Sequence, residues 1–169
     1  MRETYRAMQI NAPGQLELVE RRIPVPSPRE VLLSVEACGV CGADVASIER
    51  PSPSTNPPRV PGHEVVGRIV AIGKDVASIW QVGQRVGVGR LGGACQECAS
   101  CRQGHFHLCP HQPFVGSTHD GGYAEMMLSR GTGLISIPDE LSSEEAAPIL
   151  CAGIAASTRS KNAAPRQGI

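Results

Sequence analysis

A mainly β fold, a distorted barrel with a few helical additions, is what this sequence predicts, and three observations predict it. Short runs of alternating apolar residues recur along most of the chain. Glycine and proline, 19 and 14 of 169 residues, break those runs at short intervals. Only two stretches read as helix, and short strands with so few helices point to a curled β architecture. The length suits one domain with a real core and is too short for two ordinary ones.

Taken in order, Ala12-Pro13-Gly14 predicts a hairpin turn, and Ile23 to Pro28 holds too many prolines for a ladder interior. In Glu30 to Ala37 the residues Val31, Leu33, Val35 and Ala37 share one face of a half-buried strand. Asp44 to Arg50 predicts a short helix, which the proline tract from Pro51 to Pro58 must end. Val65 to Ile72 and Val82 to Val88 read as strands whose glycines mark bulges or close backbone approach. Gly122 to Leu128 and Leu134 to Ile137 predict two more strands. Ser142-Ser143-Glu144-Glu145 then starts a helix, a hydroxyl ahead of first-turn acids, and the small apolar run Ala146 to Ala156 predicts that it is buried.

Sixteen basic residues balance sixteen acidic ones, so no charged footprint exists for a nucleic-acid backbone or an acidic membrane surface. No apolar run approaches the roughly 18 residues of a membrane span, and the N-terminus lacks a signal-peptide core. The chain therefore reads as cytoplasmic, with neither a nucleic acid nor a membrane as partner. A reducing compartment turns clustered cysteines toward metals or catalysis, and the seven cysteines are an odd number for a disulfide framework.

Four of them lie in one loop with the spacing Cys95-x2-Cys98-x2-Cys101-x7-Cys109. The two-residue gaps let neighbouring thiolates face one ion across a tight turn, and the longer gap returns the chain to complete a tetrahedron. An iron–sulfur cluster can use four cysteines too, but the compact spacing favours zinc. Four thiolates leave no open position, so this zinc is expected to fold the loop and to perform no chemistry. His105, His107 and His111 are then surplus to coordination.

Cys38, Cys41 and Cys151 remain. Cys38-Gly39-Val40-Cys41 has the spacing of a redox pair, but no βαβ pattern surrounds it. Pro61-Gly62-His63-Glu64 sets an imidazole and a carboxylate at the mouth of a strand, and Leu150-Cys151-Ala152-Gly153 sets a thiol in a small-residue helix. The stretches ACGVCGAD (37 to 44), PGHEVVGRIVAIGKDV (61 to 76), VGQRVGVG (82 to 89), the cysteine loop, DGGYAE (120 to 125) and IPDELSSEEAAPILCAG (137 to 153) occur in an order that resembles the zinc-dependent medium-chain alcohol dehydrogenases.

The resemblance implies a GroES-like barrel over residues 1–156. It implies a catalytic zinc held by Cys41, His63 and Cys151, with Glu64 the adjacent carboxylate and Asp44 the acid that orients His63. Two zinc ions per chain follow, with NAD or NADP as redox partner, a small alcohol or aldehyde as substrate, and a possible homo-oligomer in the full-length family. Cys38 falls outside the ligand pattern and reads as a small buried residue.

Three departures qualify the resemblance. Ala43 stands where the family commonly has a hydroxyl that relays the alcohol proton, and alanine has no proton to relay. Arg90 stands in a stretch where several relatives place an aromatic residue beside the substrate pocket, and it is expected to point to solvent. The tail, residues 157–169, diverges where a Rossmann cofactor domain would begin, and the chain is read as having no G-x-G-x-x-G at all. The chain thus reads as the catalytic half of a dehydrogenase that needs a cofactor domain for turnover. The alternative is a non-catalytic zinc-binding module derived from that family.

Overall fold

The computed structural model describes residues 2–50 and 58–163. Seven strands carry the architecture: β1 (Thr4–Ala12), β2 (Gln15–Arg22), β3 (Glu30–Cys38), β4 (Val65–Ile72), β5 (Arg85–Val88), β6 (Met126–Arg130) and β7 (Leu134–Ser136). Strands β1 and β2 form the expected hairpin, with Gly14 at φ +74° in its turn. The other five form one antiparallel sheet in the order β6-β3-β4-β5-β7.

That order forces the sheet to curl. Its two edge strands, β6 and β7, are joined by a single 3₁₀ turn, Gly131–Gly133. The edges of a flat five-stranded sheet lie about 19 Å apart, four steps of about 4.8 Å. The chain from Arg130 to Leu134 reaches at most about 14 Å. Among the described residues β6 and β7 are not paired to each other, so the ring is drawn together by the turn and by side chains. Trp80 assists by donating its indole N–H to the Gly131 carbonyl (3.0 Å).

The inner face of the curl holds Val31, Leu33, Val65, Ile69, Val86, Val88, Val115, Met127 and Leu134, all nearly or fully buried. On the outer face Val66 packs against Ala146, Ala147 and Leu150. The bulge expected from Gly67 is present: the β3–β4 register slips between Val35 and Ala37, and a Cβ on Gly67 would lie 2.4 Å from the Ser34 carbonyl oxygen. The backbones approach there too closely for any side chain.

Helix α1 (Gly42–Glu49) matches the expected short helix, while residues 51–57 of the proline tract lie outside the described residues. Three expectations are corrected. Strand β5 begins at Arg85, because Gln81 to Gln84 closes a turn with Gly83 at φ +88°. Strand β6 spans Met126–Arg130, since Gly122 and Tyr123 donate their N–H groups to Gly62 and Pro61 and leave the sheet free to start later.

The helix expected over Ala146 to Ala156 is broken. Helix α3 (Ser143–Ala146) follows a box in which Ser142 and Glu145 cap each other, and a 3₁₀ turn, Ala147–Leu150, carries Pro148. Cys151 leaves helical geometry at φ −132°, ψ −73°, and a new helix, α4, spans Ala152–Ala163. Proline has no N–H to continue the ladder, and buried Leu150 pins the chain against β4 and β5. The first turns of α4 are mostly exposed rather than buried, and Ile154 is 49% accessible. Among the described residues no helix is long and apolar enough to cross a membrane.

Candidate functional site

Two clusters of ligand-bearing side chains stand out among the described residues, each with its ligand atoms within 4.8 Å of one another. The first gathers Cys95, Cys98, Cys101 and Cys109. Its loop is built around the sulfurs: the N–H groups of Cys98 and Glu97 point at the Cys95 sulfur (3.4 and 3.5 Å), that of Cys101 at Cys98 (3.5 Å), and that of Cys95 at Cys109 (3.4 Å). The short helix α2 (Ala99–Arg102) brings Cys98 and Cys101 to one side.

The N–H groups of Glu97 and Cys98 hold the Cys95 thiol down at about 6, whereas burial pushes Cys101 up to about 12. One sulfur is ready to ionise and another resists, because burial and the hydrogen bonds of its neighbouring sulfurs favour the neutral Cys101 thiol while backbone N–H groups favour the Cys95 thiolate. A cation of charge two at the centre removes that conflict, and an all-sulfur donor set suits zinc. His105 and His107 stand outside the sulfur cluster, exposed, with ring centroids 6.3 Å apart edge to face.

The second cluster gathers Cys41, His63, Glu64 and Cys151 from three separated segments. Cys41 immediately precedes α1, His63 and Glu64 lead into β4, and Cys151 occupies the break between the 3₁₀ turn and α4. The break aims the thiol, because a continuous helix would carry it on around the axis. His63 and Glu64 are 1% and 2% accessible.

Asp44 sits behind this cluster, 2% accessible, and each of its carboxylate oxygens accepts from two donors. Oδ1 takes His63 Nδ1 (2.9 Å) and the Gly62 N–H (3.2 Å). Oδ2 takes the Cys41 N–H (3.0 Å) and the Tyr123 hydroxyl (3.2 Å). Burial opposes the Asp44 charge, but these donors outweigh it and hold the carboxyl below its ordinary range. The same bond raises the basicity of His63. With Nδ1 so committed, His63 Nε2 is buried and has no hydrogen-bond partner.

That orphaned nitrogen is the observation that tests a metal here. Two thiols, an imidazole nitrogen with a free lone pair and a carboxylate converge, and the set fits a zinc ion held by two sulfurs and one nitrogen. Burial and the neighbouring Cys41 push the Cys151 thiol up to about 11, so a cation must displace its proton. Cys38 takes no part in the cluster; it is partly buried, packs against the core, and burial drives its thiol up to about 12.

Arg90 differs from expectation. It is half-buried rather than free in solvent, and its charge reaches Cys151, favouring the thiolate. A second correction concerns glycines: Gly87-Val88-Gly89-Arg90-Leu91-Gly92 does have the G-x-G-x-x-G spacing. It runs along and beyond β5 and opens no helix, so it is not a dinucleotide fingerprint. A Cβ on Gly87 would lie 2.9 Å from Leu150 side-chain atoms and one on Gly89 2.7 Å from the Leu150 carbonyl oxygen. These glycines admit the segment that presents Cys151. Tyr123 was not assigned a role by sequence reasoning, since its partner Asp44 lies 79 positions away and no local pattern links them.

Residues 27–139 match the alcohol dehydrogenase GroES-like domain. Similar curated proteins include the alcohol dehydrogenase notN of an Aspergillus species, 37% identical over 98% of this chain and 49% of its own length. Another is an alcohol dehydrogenase of Geobacillus stearothermophilus, 45% identical over 82% of this chain and 41% of its own. Among solved structures, a cobalt- and zinc-bound thermostable alcohol dehydrogenase from Pyrobaculum aerophilum superposes with a TM-score of 0.84 at 27% identity, over 95% of this chain and 49% of that one. The acetophenone reductase of Geotrichum candidum in complex with NAD gives 0.83 at 30% identity, over 97% and 49%. The chain thus spans about half the length of the relatives it matches.

Proposed function

The chain belongs to the alcohol dehydrogenase GroES-like domain family, and from that premise we propose that it supplies the zinc-bearing catalytic part of an NAD(P)-linked dehydrogenase of small alcohols and aldehydes. Residues 1–156 form the catalytic domain in this reading. The observation that carries it is the convergence of Cys41, His63 and Cys151, with Glu64 beside them, on a buried and unpartnered imidazole nitrogen.

Cys41, His63 and Cys151 would hold one zinc and the four loop cysteines a second. At the first site zinc would act as a Lewis acid on an alcohol or carbonyl oxygen while a nicotinamide exchanges hydride with the substrate carbon. The chain's own residues prepare that chemistry. Asp44 holds the His63 proton at Nδ1 and leaves Nε2 as the ligand atom. Three protein ligands leave one position open, in contrast to the closed four-sulfur site. Glu64, buried in the cluster, would offer a carboxylate beside the metal. A cytoplasmic location accords with seven unpaired cysteines.

The test replaces zinc by cobalt(II), whose thiolate charge-transfer bands report its ligands. Titrating the cobalt-loaded chain with trifluoroethanol, an unreactive alcohol, should shift the bands, and Cys151→Ser should abolish the responsive part. Bands that ignore the alcohol would contradict an open catalytic site.

A further inference from the structure

Resting on the metal-centre reading above, we propose that Tyr123 is a positioning residue of that centre: its hydroxyl locks the Asp44 carboxylate in the orientation that keeps the His63 proton on Nδ1 and Nε2 free for the metal.

The carboxylate of Asp44 has four lone-pair directions and four donors. Through the Cys41 N–H and His63 Nδ1 it touches the backbone of one expected ligand and the side chain of another, so its rotation would disturb both. Three of the four donors arrive with the ligand segments themselves. Tyr123 alone comes from elsewhere, and it shares Oδ2 with the Cys41 N–H.

Its placement is fixed by its own backbone before the hydroxyl is considered. The Tyr123 N–H donates to the Pro61 carbonyl (3.0 Å), and its carbonyl accepts from Met8 (2.8 Å). Its ring lies against Gly62, at φ +96°, where a Cβ would be 2.5 Å from ring atom Cδ1. A glycine immediately before His63 therefore makes the room in which this phenol reaches Asp44. Burial, with the Asp44 charge beside it, keeps the phenol protonated, so it acts as a donor.

Without the hydroxyl, one oxygen of a buried carboxylate loses half its hydrogen bonds, and the restraint on its plane weakens. His63 can then place its proton on Nε2 and present the wrong nitrogen. Loss of such an outer partner typically lowers metal affinity on the order of 10–100-fold.

The test is Tyr123→Phe, which removes the hydroxyl and keeps the ring on Gly62. Zinc affinity at each site of the full chain is measured by chelator competition, and the His63 ring tautomer in the metal-free chain by ¹⁵N NMR. The expected result is a roughly tenfold or greater loss at the Cys41–His63–Cys151 site, an unchanged four-cysteine site, and a shift of His63 toward the Nε2–H tautomer. Equal weakening of both sites, or an unchanged tautomer, would overturn the proposal. A wild-type chain that binds metal only at the four cysteines would instead overturn the metal-centre reading, and this inference with it.

Discussion

Replacing His63 by alanine is expected to remove one of two expected zinc ions and to lower the stability of the metal-free chain by about 1.5–3 kcal/mol, the scale for losing a hydrogen bond to a buried charged group. The size follows from Asp44. Its carboxylate is almost wholly inaccessible, and the imidazole supplies its shortest hydrogen bond, at 2.9 Å. Alanine leaves that oxygen with the Gly62 N–H alone among its described donors. Elemental analysis reads the metal loss, and urea unfolding of the metal-free chain reads the stability. His63→Ala in an Asp44→Ala background should cost much less, because the buried charge is then gone. Full cost in both backgrounds would show that packing, not the Asp44–His63 pair, sets the effect.

A second large effect is expected at Cys109, 3% accessible, whose sulfur accepts the Cys95 N–H at 3.4 Å. Cys109→Ser should release the loop zinc and, with it, the local order of residues 95–109. Apparent zinc-binding free energies of about 10–16 kcal/mol in small zinc folds set the scale of what is withdrawn. Apolar burial holds the loop little, since Phe106 and Leu108 are 52% and 59% accessible, and the Thr132 and Arg130 bonds to the Ala94 and His111 carbonyls fix its ends rather than its centre, which the sulfurs form. Hydrogen exchange should show loss of protection confined to this loop, while the Val31–Leu33 and Val65–Ile69 core strands keep theirs. Loss of protection across β3 and β4 would mean the loop is part of the folding core.

How much of this was legible in the sequence depends on how local each relation is. The four loop cysteines lie within fifteen positions, so their spacing alone expressed the geometry. The hairpin at Gly14 and strand β4 were equally local. Cys41, His63 and Cys151 could be joined only through resemblance to a family, because nothing in their own surroundings ties segments over a hundred residues apart. Apolar composition suggested one buried helix over Ala146 to Ala156; Pro148 and the anchoring of Leu150 split it, and the split is what presents Cys151. The roles of Gly87 and Gly89 emerge only when Leu150 is seen against them. For the same reason Tyr123 goes without a role in the sequence and Arg90 is expected in solvent, since what matters is the distant group each one faces.

The most direct test of the account is a zinc count on the full chain and on two variants, Cys41→Ser and Cys98→Ser. Two separate centres predict two zinc ions in the wild type and one in each variant. A brief exposure to 1,10-phenanthroline should then strip zinc faster from Cys98→Ser, which keeps the open site, than from Cys41→Ser, which keeps the closed one. One zinc in the wild type, or two retained in Cys41→Ser, would contradict a metal centre built on Cys41, His63 and Cys151.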